Sequence, residues 1–176
     1  LLKLQVPNLY FYDVMDTSVF ISKNFTPIKG KIACESPSNI ALIKYWGKYG
    51  LQFPINPSLS FTLSNCKTVT SIDYSPRLKG QGKFNFLYDG KTKKSFEKKI
   101  GEFFERIYPF CPYLENLYLK INSKNTFPHS SGIASSASAF SSLAFCIVSI
   151  EKSCGERMTE QKFLNKVSFI ARLGSG

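Results

Sequence analysis

The sequence predicts an α+β domain, on three observations. Runs of alternating apolar and polar residues recur between residues 31 and 88. From Phe96 the apolar spacing changes to three and four residues, which is helical. The Asp89–Gly90 pair between these regions is a hairpin-type turn signal. Runs of strands with intervening helices, joined by such turns, mark α+β architecture.

The elements are taken in chain order. Residues 31–35 form a short strand ending at Pro37, which disfavours helix at Ser36. Residues 39–48, NIALIKYWGK, are apolar and then basic, and Gly50 closes them. Leu59, Phe61 and Leu63 alternate with small polar residues, as a half-buried strand does, and the β-branched residues of 67–74 are predicted to pair with it. Residues 83–88 alternate again through Phe84, Phe86 and Tyr88. Phe96, Ile100, Phe103, Phe104 and Ile107 fall on one helical face, leaving Lys93, Lys94, Lys98 and Lys99 as a solvated face. Pro109 and Pro112 stop that helix. Leu117, Leu119 and Ile121 alternate as a strand, and the loop KNTFPHSSG leads into a serine-rich helix. A last helix carries Phe163, Leu164, Val167, Ile170 and Ala171 behind Thr159 as its N-cap.

Composition narrows the class of function. The chain has 176 residues, 43% hydrophobic and 20% charged, which fits one globular domain. Its net charge of +11 favours an anionic partner: nucleic acid, an anionic membrane or a phosphorylated small molecule. A merely soluble basic surface reads the same way. Five cysteines without a CxxC pair argue against a zinc site or disulfide framework and for reduced thiols in a cytosolic protein, with Cys146 as plain core. Residues 130–150 carry no charge but eight serines, which opposes a membrane span. The opening segment is broken by Pro7 and lacks a cleavage site, so no secretory signal is expected. The start at Leu1 and the stop at Gly176 suggest a fragment.

Two stretches can carry chemistry. Five of the fourteen residues in FPHSSGIASSASAF are serine, although serine is a mediocre helix former. They suit either a tightly packed small-residue helix or an anion cradle at a helix N-terminus. The stretch lacks the spaced glycines of a dinucleotide-binding turn and the GxxxxGK[ST] of a P-loop. In the second stretch, Lys44 and Lys48 flank Tyr45, Trp46 and Gly47, and both ammoniums serve one face if the segment is helical. KYWGK also reads as a surface aromatic with two snorkelling lysines.

Together, NIALIKYWGK, PINPSLSFTLSNCKT, NTFPHSSGIASSAS and ARLGSG resemble, in that order, the diphosphomevalonate decarboxylases of the GHMP kinase superfamily. The resemblance covers residues 31–176, and KYWGK is its most specific marker. It implies an N-terminal, ribosomal-protein-like two-layer α+β domain, with residues 1–30 as a leader and the C-terminal domain absent. It also implies a cytoplasmic enzyme of isoprenoid biosynthesis. ATP and magnesium phosphorylate the 3-hydroxyl of mevalonate 5-diphosphate, and loss of phosphate and carbon dioxide gives isopentenyl diphosphate.

By the same resemblance, Tyr45, Trp46, Gly47 and Lys48 line the substrate diphosphate site, and Ser175 and Gly176 open an SGSxxR segment that grips substrate. Lys44 is similar to a lysine tied to ATP use, and Asn39 to one that orders polar groups at the reacting centre. Ser130, Ser131, Gly132, Ser135 and Ser136 form the phosphate loop. Ser135 is a candidate magnesium contact through Mg-ATP, and no direct metal ligand is assigned. Members of the family are often homodimers. The departures are Tyr49 in place of a basic residue, Ala139 near an expected glycine, and no sure counterpart of a hairpin arginine, for which Lys83 and Arg77 are weak candidates. His129, the sole histidine, reads better as a loop residue than as a general base. The SGSxxR arginine and the catalytic aspartate lie beyond the chain, so the fragment alone is expected to be inactive. Two alternatives stay in the family: a mevalonate-type 3-kinase, which makes ADP without carbon dioxide, and a monophosphate decarboxylase. A non-catalytic anion- or RNA-binding remnant is another; its aromatics fall on core-like periodicities and its basic residues are scattered, so neither nucleic acid nor membrane is the expected partner.

Overall fold

A computed structural model of the chain describes residues 16–50, 52–128 and 132–175. His129, Ser130, Ser131 and Gly176 lie outside the described residues, as do Leu51 and residues 1–15, half of the leader. The elements are strands β1 (Gly30–Ile43), β2 (Lys48–Tyr49), β3 (Phe53–Pro54), β4 (Leu59–Pro76), β5 (Phe84–Tyr88) and β6 (Leu117–Asn125), with helices α1 (Lys94–Ile107), α2 (Ser135–Ser153) and α3 (Glu160–Ser175). The main sheet has the order β1-β4-β6-β5, and β2 and β3 form a separate two-stranded ribbon. β1 and β6 run antiparallel to β4, whereas β5 runs parallel to β6 with α1 as the crossover. This is the α+β architecture that the periodicities predict.

Alternation puts one sheet face against the helices. On β4, Thr68, Thr70, Ile72 and Tyr74 are buried while Asp73 is exposed. On β6, Leu117, Leu119 and Ile121 are buried and Lys120 and Lys124 point outward. The helical stripe on α1 is realised, with Ile100, Phe103, Phe104 and Ile107 all buried. Phe104 packs on Phe84 of β5 with ring centres 5.0 Å apart. Thr159 caps α3, its Oγ1 accepting the Lys162 N–H at 3.2 Å.

Three strand expectations need correction. β1 does not stop at Pro37; it runs on to Ile43. As the edge strand it has a side that makes no ladder bonds, so proline's missing N–H is tolerated there. Residues 59–63 and 67–74 are one strand, β4, and do not pair with each other. Both pair with β1: Leu63 lies opposite Ser38 and Lys67 opposite Pro37. Residues 64–66 are therefore a bulge, pinned by the Thr126 hydroxyl, which donates to the Asn65 carbonyl at 3.1 Å. Leu59 and Phe61 are exposed rather than half-buried, because there β4 pairs only with β1 as a two-stranded arm beyond β6.

Residues 17–26 tie back onto the helical layer. Phe20 is buried and stacks on Phe169 of α3 at 4.6 Å. The Lys23 and Asn24 N–H groups donate to Glu156 Oε2 at 3.1 and 2.9 Å. Behind them Lys166 Nζ, fully buried, donates to Glu151 Oε1 at 2.7 Å, to Ser22 Oγ and to the Phe110 carbonyl. Among the described residues no helix is long and apolar enough to cross a membrane. No group of three or more metal-binding side chains occurs among them, and Cys34, Cys66, Cys111, Cys146 and Cys154 are free thiols.

Candidate active site

The serine-rich helix divides its hydroxyls between two tasks. Ser138 and Ser142 lie four residues apart on one face and meet the sheet: Ser138 Oγ is 2.7 Å from Thr68 Oγ1, and Ser142 Oγ is 2.5 Å from Thr70 Oγ1. Cys146, one turn further, donates to the Thr70 carbonyl at 3.4 Å. Ser141 accepts from Ser36 of β1 at 2.7 Å. These small polar side chains let α2 lie close on a threonine-bearing sheet, each bonded hydroxyl avoiding the cost of an unpaired buried group. Ser138 and Ser142 also donate to the carbonyls of Ser135 and Ala139. For these residues the packed-helix alternative holds.

The first turn of α2 is different. Its N-cap, Ala134, has φ 48° and ψ 42°, a left-handed conformation that a residue with a Cβ adopts at a cost. The residue makes no side-chain cap bond. Gly132 shares the positive φ, at 79°, and Ser38 of β1 donates its hydroxyl to the Ile133 carbonyl, anchoring the loop. Backbone donors at such a helix start attract anions. Ser135 and Ser136 border an apolar cleft of about 100 Å³ with Tyr88, Phe96, Lys99 and Phe140. Lys93 Nζ lies 4.7 Å above the Tyr88 ring and 5.0 Å above Phe96, so the flank of this cleft is basic.

Packing of α3 brings in the closing motif. A Cβ on Gly174 would lie 2.3 Å from Phe140 Cδ1 and 2.9 Å from its Cβ, so glycine there is what lets α3 approach α2. The approach places Ser136 Oγ and Ser175 Oγ 3.0 Å apart. Arg106 of α1 donates to the Leu173 carbonyl at 3.0 Å and holds the same end of α3. Beside this junction a cleft of about 300 Å³ opens between β1, the ribbon and the two helices, and Asn39, Tyr45, Ser141 and Ser175 line it.

The KYWGK segment is not helical. Residues 44–47 are irregular and Lys48 begins β2, so Lys44 and Lys48 do not share a helical face. Asn56 organises this turn: its Oδ1 accepts the Trp46 N–H at 2.7 Å and its Nδ2 donates to the Lys44 carbonyl. The Gly47 carbonyl accepts from Ile55 N–H at 3.0 Å, closing the ribbon. Lys48 Nζ donates to Gln52 Oε1 at 2.8 Å. Lys44 and Trp46, the latter 93% exposed, line a neighbouring hollow with Leu42, Ile43 and Tyr45. Of the segment, only Tyr45 reaches the cleft that holds Asn39 and Ser175. Lys83 lies over the Tyr108 ring and Arg77 donates to the Glu115 carbonyl; neither lines a described cleft. Sequence reasoning missed Asn56, signalled by its Asn-Pro turn pair, and the Tyr88–Phe96 wall, which reads as core periodicity.

Residues 36–176 match the family model described as the diphosphomevalonate decarboxylase-like N-terminal domain. The diphosphomevalonate decarboxylase of Eremothecium gossypii is 36% identical over 152 residues, covering 80% of this chain and 36% of the relative. The crystal structure of mevalonate diphosphate decarboxylase from Staphylococcus aureus superposes with a TM-score of 0.66 at 29% identity, over 85% of this chain and 42% of that one. A structure described as MDDEF in complex with MVAPP, AMPPCP and magnesium has a TM-score of 0.61 and 31% identity, over 86% and 43% of the two chains. The chain thus spans little more than a third of the length of the curated relative. With these matches and this fold, the chain belongs to the diphosphomevalonate decarboxylase-like N-terminal domain family.

Proposed function

We propose that this domain supplies the N-terminal side of a cleft in which mevalonate 5-diphosphate is phosphorylated by ATP and decarboxylated. One observation carries the reading: the Ser136–Ser175 contact joins the uncapped start of α2 to the cleft that holds Asn39 and Tyr45. Phosphoryl transfer needs donor and acceptor held side by side, and the two clefts meet at that contact. The serine side takes the phosphates of ATP at the backbone N–H groups and hydroxyls of Ser135 and Ser136, with the nucleoside end toward Tyr88 and Phe96. The Tyr45 side takes the substrate, with Asn39 and Ser175 as neutral donors. Lys48 borders the substrate site through Gln52, a lining residue to which it donates, while Trp46, Gly47 and Lys44 stand beside the site in the turn that carries Tyr45.

The chemistry is a sequence of two displacements of electron pairs. The substrate 3-hydroxyl oxygen bonds to the terminal phosphorus of ATP as the bond from that phosphorus to the ADP oxygen breaks; ADP leaves with that electron pair, and the hydroxyl proton passes to water. The C3–O bond then breaks with its pair on the departing phosphate, while the C1–C2 pair becomes the new double bond and carbon dioxide leaves. The residues of this chain bind and align the two anions for that elimination.

Magnesium fits this donor set only as an ion held by phosphate oxygens and water, since hydroxyls and not carboxylates line the start of α2 among the described residues. When bound, it neutralises phosphate charge. No carboxylate lines the substrate cleft among the described residues either, so the 176-residue chain by itself is expected to bind rather than turn over.

Calorimetry tests the reading, with magnesium and AMPPCP titrated first and mevalonate 5-diphosphate second. Binding of both, weakened respectively by Ser136→Ala and Tyr45→Ala, is the expected result. Failure of both ligands to bind overturns the reading, and carbon dioxide release by this chain overturns the expectation of inactivity.

A further inference from the structure

Helix α2 lies along the edge strand β1, and their contacts run in opposite chain order. Ser38 of β1 reaches the Ile133 carbonyl just before the helix, and Ser36 donates to Ser141 at 2.7 Å. Further back on the strand Cys34 meets Cys146, and the two thiols share a hydrogen bond. Thr70 of β4 fixes the meeting point: it lies opposite Cys34 in the ladder, and its carbonyl accepts the Cys146 thiol at 3.4 Å. Two sulfurs from distant parts of the chain are therefore held together by a strand and a helix, not by loops.

The two thiols differ in their surroundings. Cys34 is partly exposed, whereas Cys146 is fully buried. The hydrogen bond with Cys146 brings the Cys34 thiol down to about 7, against the effect of burial and with help from Ser149. The same bond and burial push the Cys146 thiol up, so Cys146 keeps its proton. A thiolate within reach of solvent is the form that attacks peroxides, and a thiol beside it resolves the product. Of the other cysteines, Cys111 and Cys154 are buried and Cys66 sits in the β4 bulge.

We propose that Cys34 and Cys146 are a hydroperoxide-sensitive thiol pair that closes to a disulfide between β1 and α2. The Cys34 sulfur bonds to one oxygen of the hydroperoxide as the O–O bond breaks. The other oxygen leaves with that electron pair and takes a proton from water, so Cys34 becomes a sulfenic acid. The Cys146 sulfur then bonds to the Cys34 sulfur as the S–O bond breaks, and the departing oxygen leaves as water with the Cys146 proton. Two thiols are oxidised and one hydroperoxide is reduced. The new bond ties together the two elements that carry Ser36, Asn39 and Ser141 into the wall of the substrate-side cleft.

The test treats the reduced 176-residue chain with hydrogen peroxide at neutral pH, alkylates the remaining thiols in denaturant, and maps the tryptic peptides by mass spectrometry. The expected product is a monomer in which the Cys34 and Cys146 peptides are joined, lighter than the two free peptides by two hydrogens and separated again by dithiothreitol. Cys146→Ala is expected to lose the crosslink and to leave Cys34 as a sulfenic acid that dimedone captures. Cys34→Ser is expected to leave Cys146 unoxidised. Oxidation of wild-type Cys34 to a sulfenic or sulfinic acid while Cys146 is still alkylated overturns the pairing. A crosslink through Cys66 or between two chains overturns it as well, and so does a Cys34 that peroxide leaves unchanged. Should either variant fail to fold, the wild-type peptide map decides alone, since it separates all of these products.

Discussion

The hydroxyls of Ser136 and Ser175, 39 residues apart in the chain, stand 3.0 Å from each other. One belongs to the first turn of α2 and the other to the last turn of α3. Their contact makes neighbours of two clefts that would otherwise belong to different elements.

That contact is exposed, so it adds little to stability and its effect falls on binding. Ser136→Ala is expected to weaken magnesium–AMPPCP about ten-fold while shifting the unfolding free energy by less than about 1 kcal/mol. In a double-mutant cycle with Ser175→Ala, the two effects on nucleotide affinity are expected to be non-additive. Calorimetry and urea denaturation of the four proteins check both statements.

Gly174 carries the helix–helix approach. Gly174→Ala forces a methyl group against the Phe140 ring and is expected to destabilise by about 1–3 kcal/mol. Phe140 also packs on Phe103, with ring centres 5.0 Å apart, so it has little room to give. Adding Phe140→Ala is expected to remove the clash while opening a cavity, so the double variant is more stable than the sum of the singles. Denaturation midpoints measure the coupling.

The Lys166–Glu151 pair is buried, and Glu151 Oε2 has no hydrogen-bond partner among the described residues. Burial pushes the Glu151 carboxyl up, against the pull of Lys166. Lys166→Met strands that carboxylate and is expected to cost about 3–5 kcal/mol, whereas Glu151→Leu with Lys166→Met together is expected to recover most of the loss. Urea melts of the three proteins distinguish a broken pair from a missing cavity filler.

Glu156 gives the fold a dependence on pH. Burial pushes its carboxyl up, but the N–H groups of Asn24 and Lys23 and the charges of Lys162 and Lys166 outweigh that and hold it below the ordinary 4.5. A lowered folded-state value means that the unfolded chain binds the proton more readily. The stabilisation is therefore complete above that ordinary value and is lost as pH falls through the lowered one. The difference in melting temperature between wild type and Glu156→Gln is expected to be constant at neutral pH and to shrink in acid. A difference that grows on acidification would contradict this account.

Local patterns were legible where one face decides the structure. The α1 stripe of Ile100, Phe103, Phe104 and Ile107, the inward side of β6 and the Thr159 cap come from spacing alone, because burying one face suffices to choose the period. The Asp89–Gly90 turn also forms, with Tyr88 and Lys91 exchanging backbone bonds at 2.8 and 3.0 Å. It leads into a helix and not a second strand, since a turn signal does not specify the element after it. β4 was misread as two strands because its bulge at residues 64–66 interrupts the alternation without a turn. The serines of α2 remained ambiguous in sequence because a hydroxyl facing a threonine on another strand and one facing a phosphate are the same letter.

From its motifs the chain could be assigned an α+β fold, a family and a set of candidate site residues, since each rests on contiguous residues and local periodicity. Packing alone decided which of those residues meet. Tyr45, Asn39 and Ser175 share a cleft that Lys48 meets only through Gln52 and that Lys44 does not line, and Arg172 enters unannounced. The reason is physical: helix α3 is placed by the missing methyl at Gly174 and the buried pair at Lys166, contacts whose partners lie 34 and 15 residues away in the chain. No local period encodes such distances, and the burial that selects them exists only once the layers have closed.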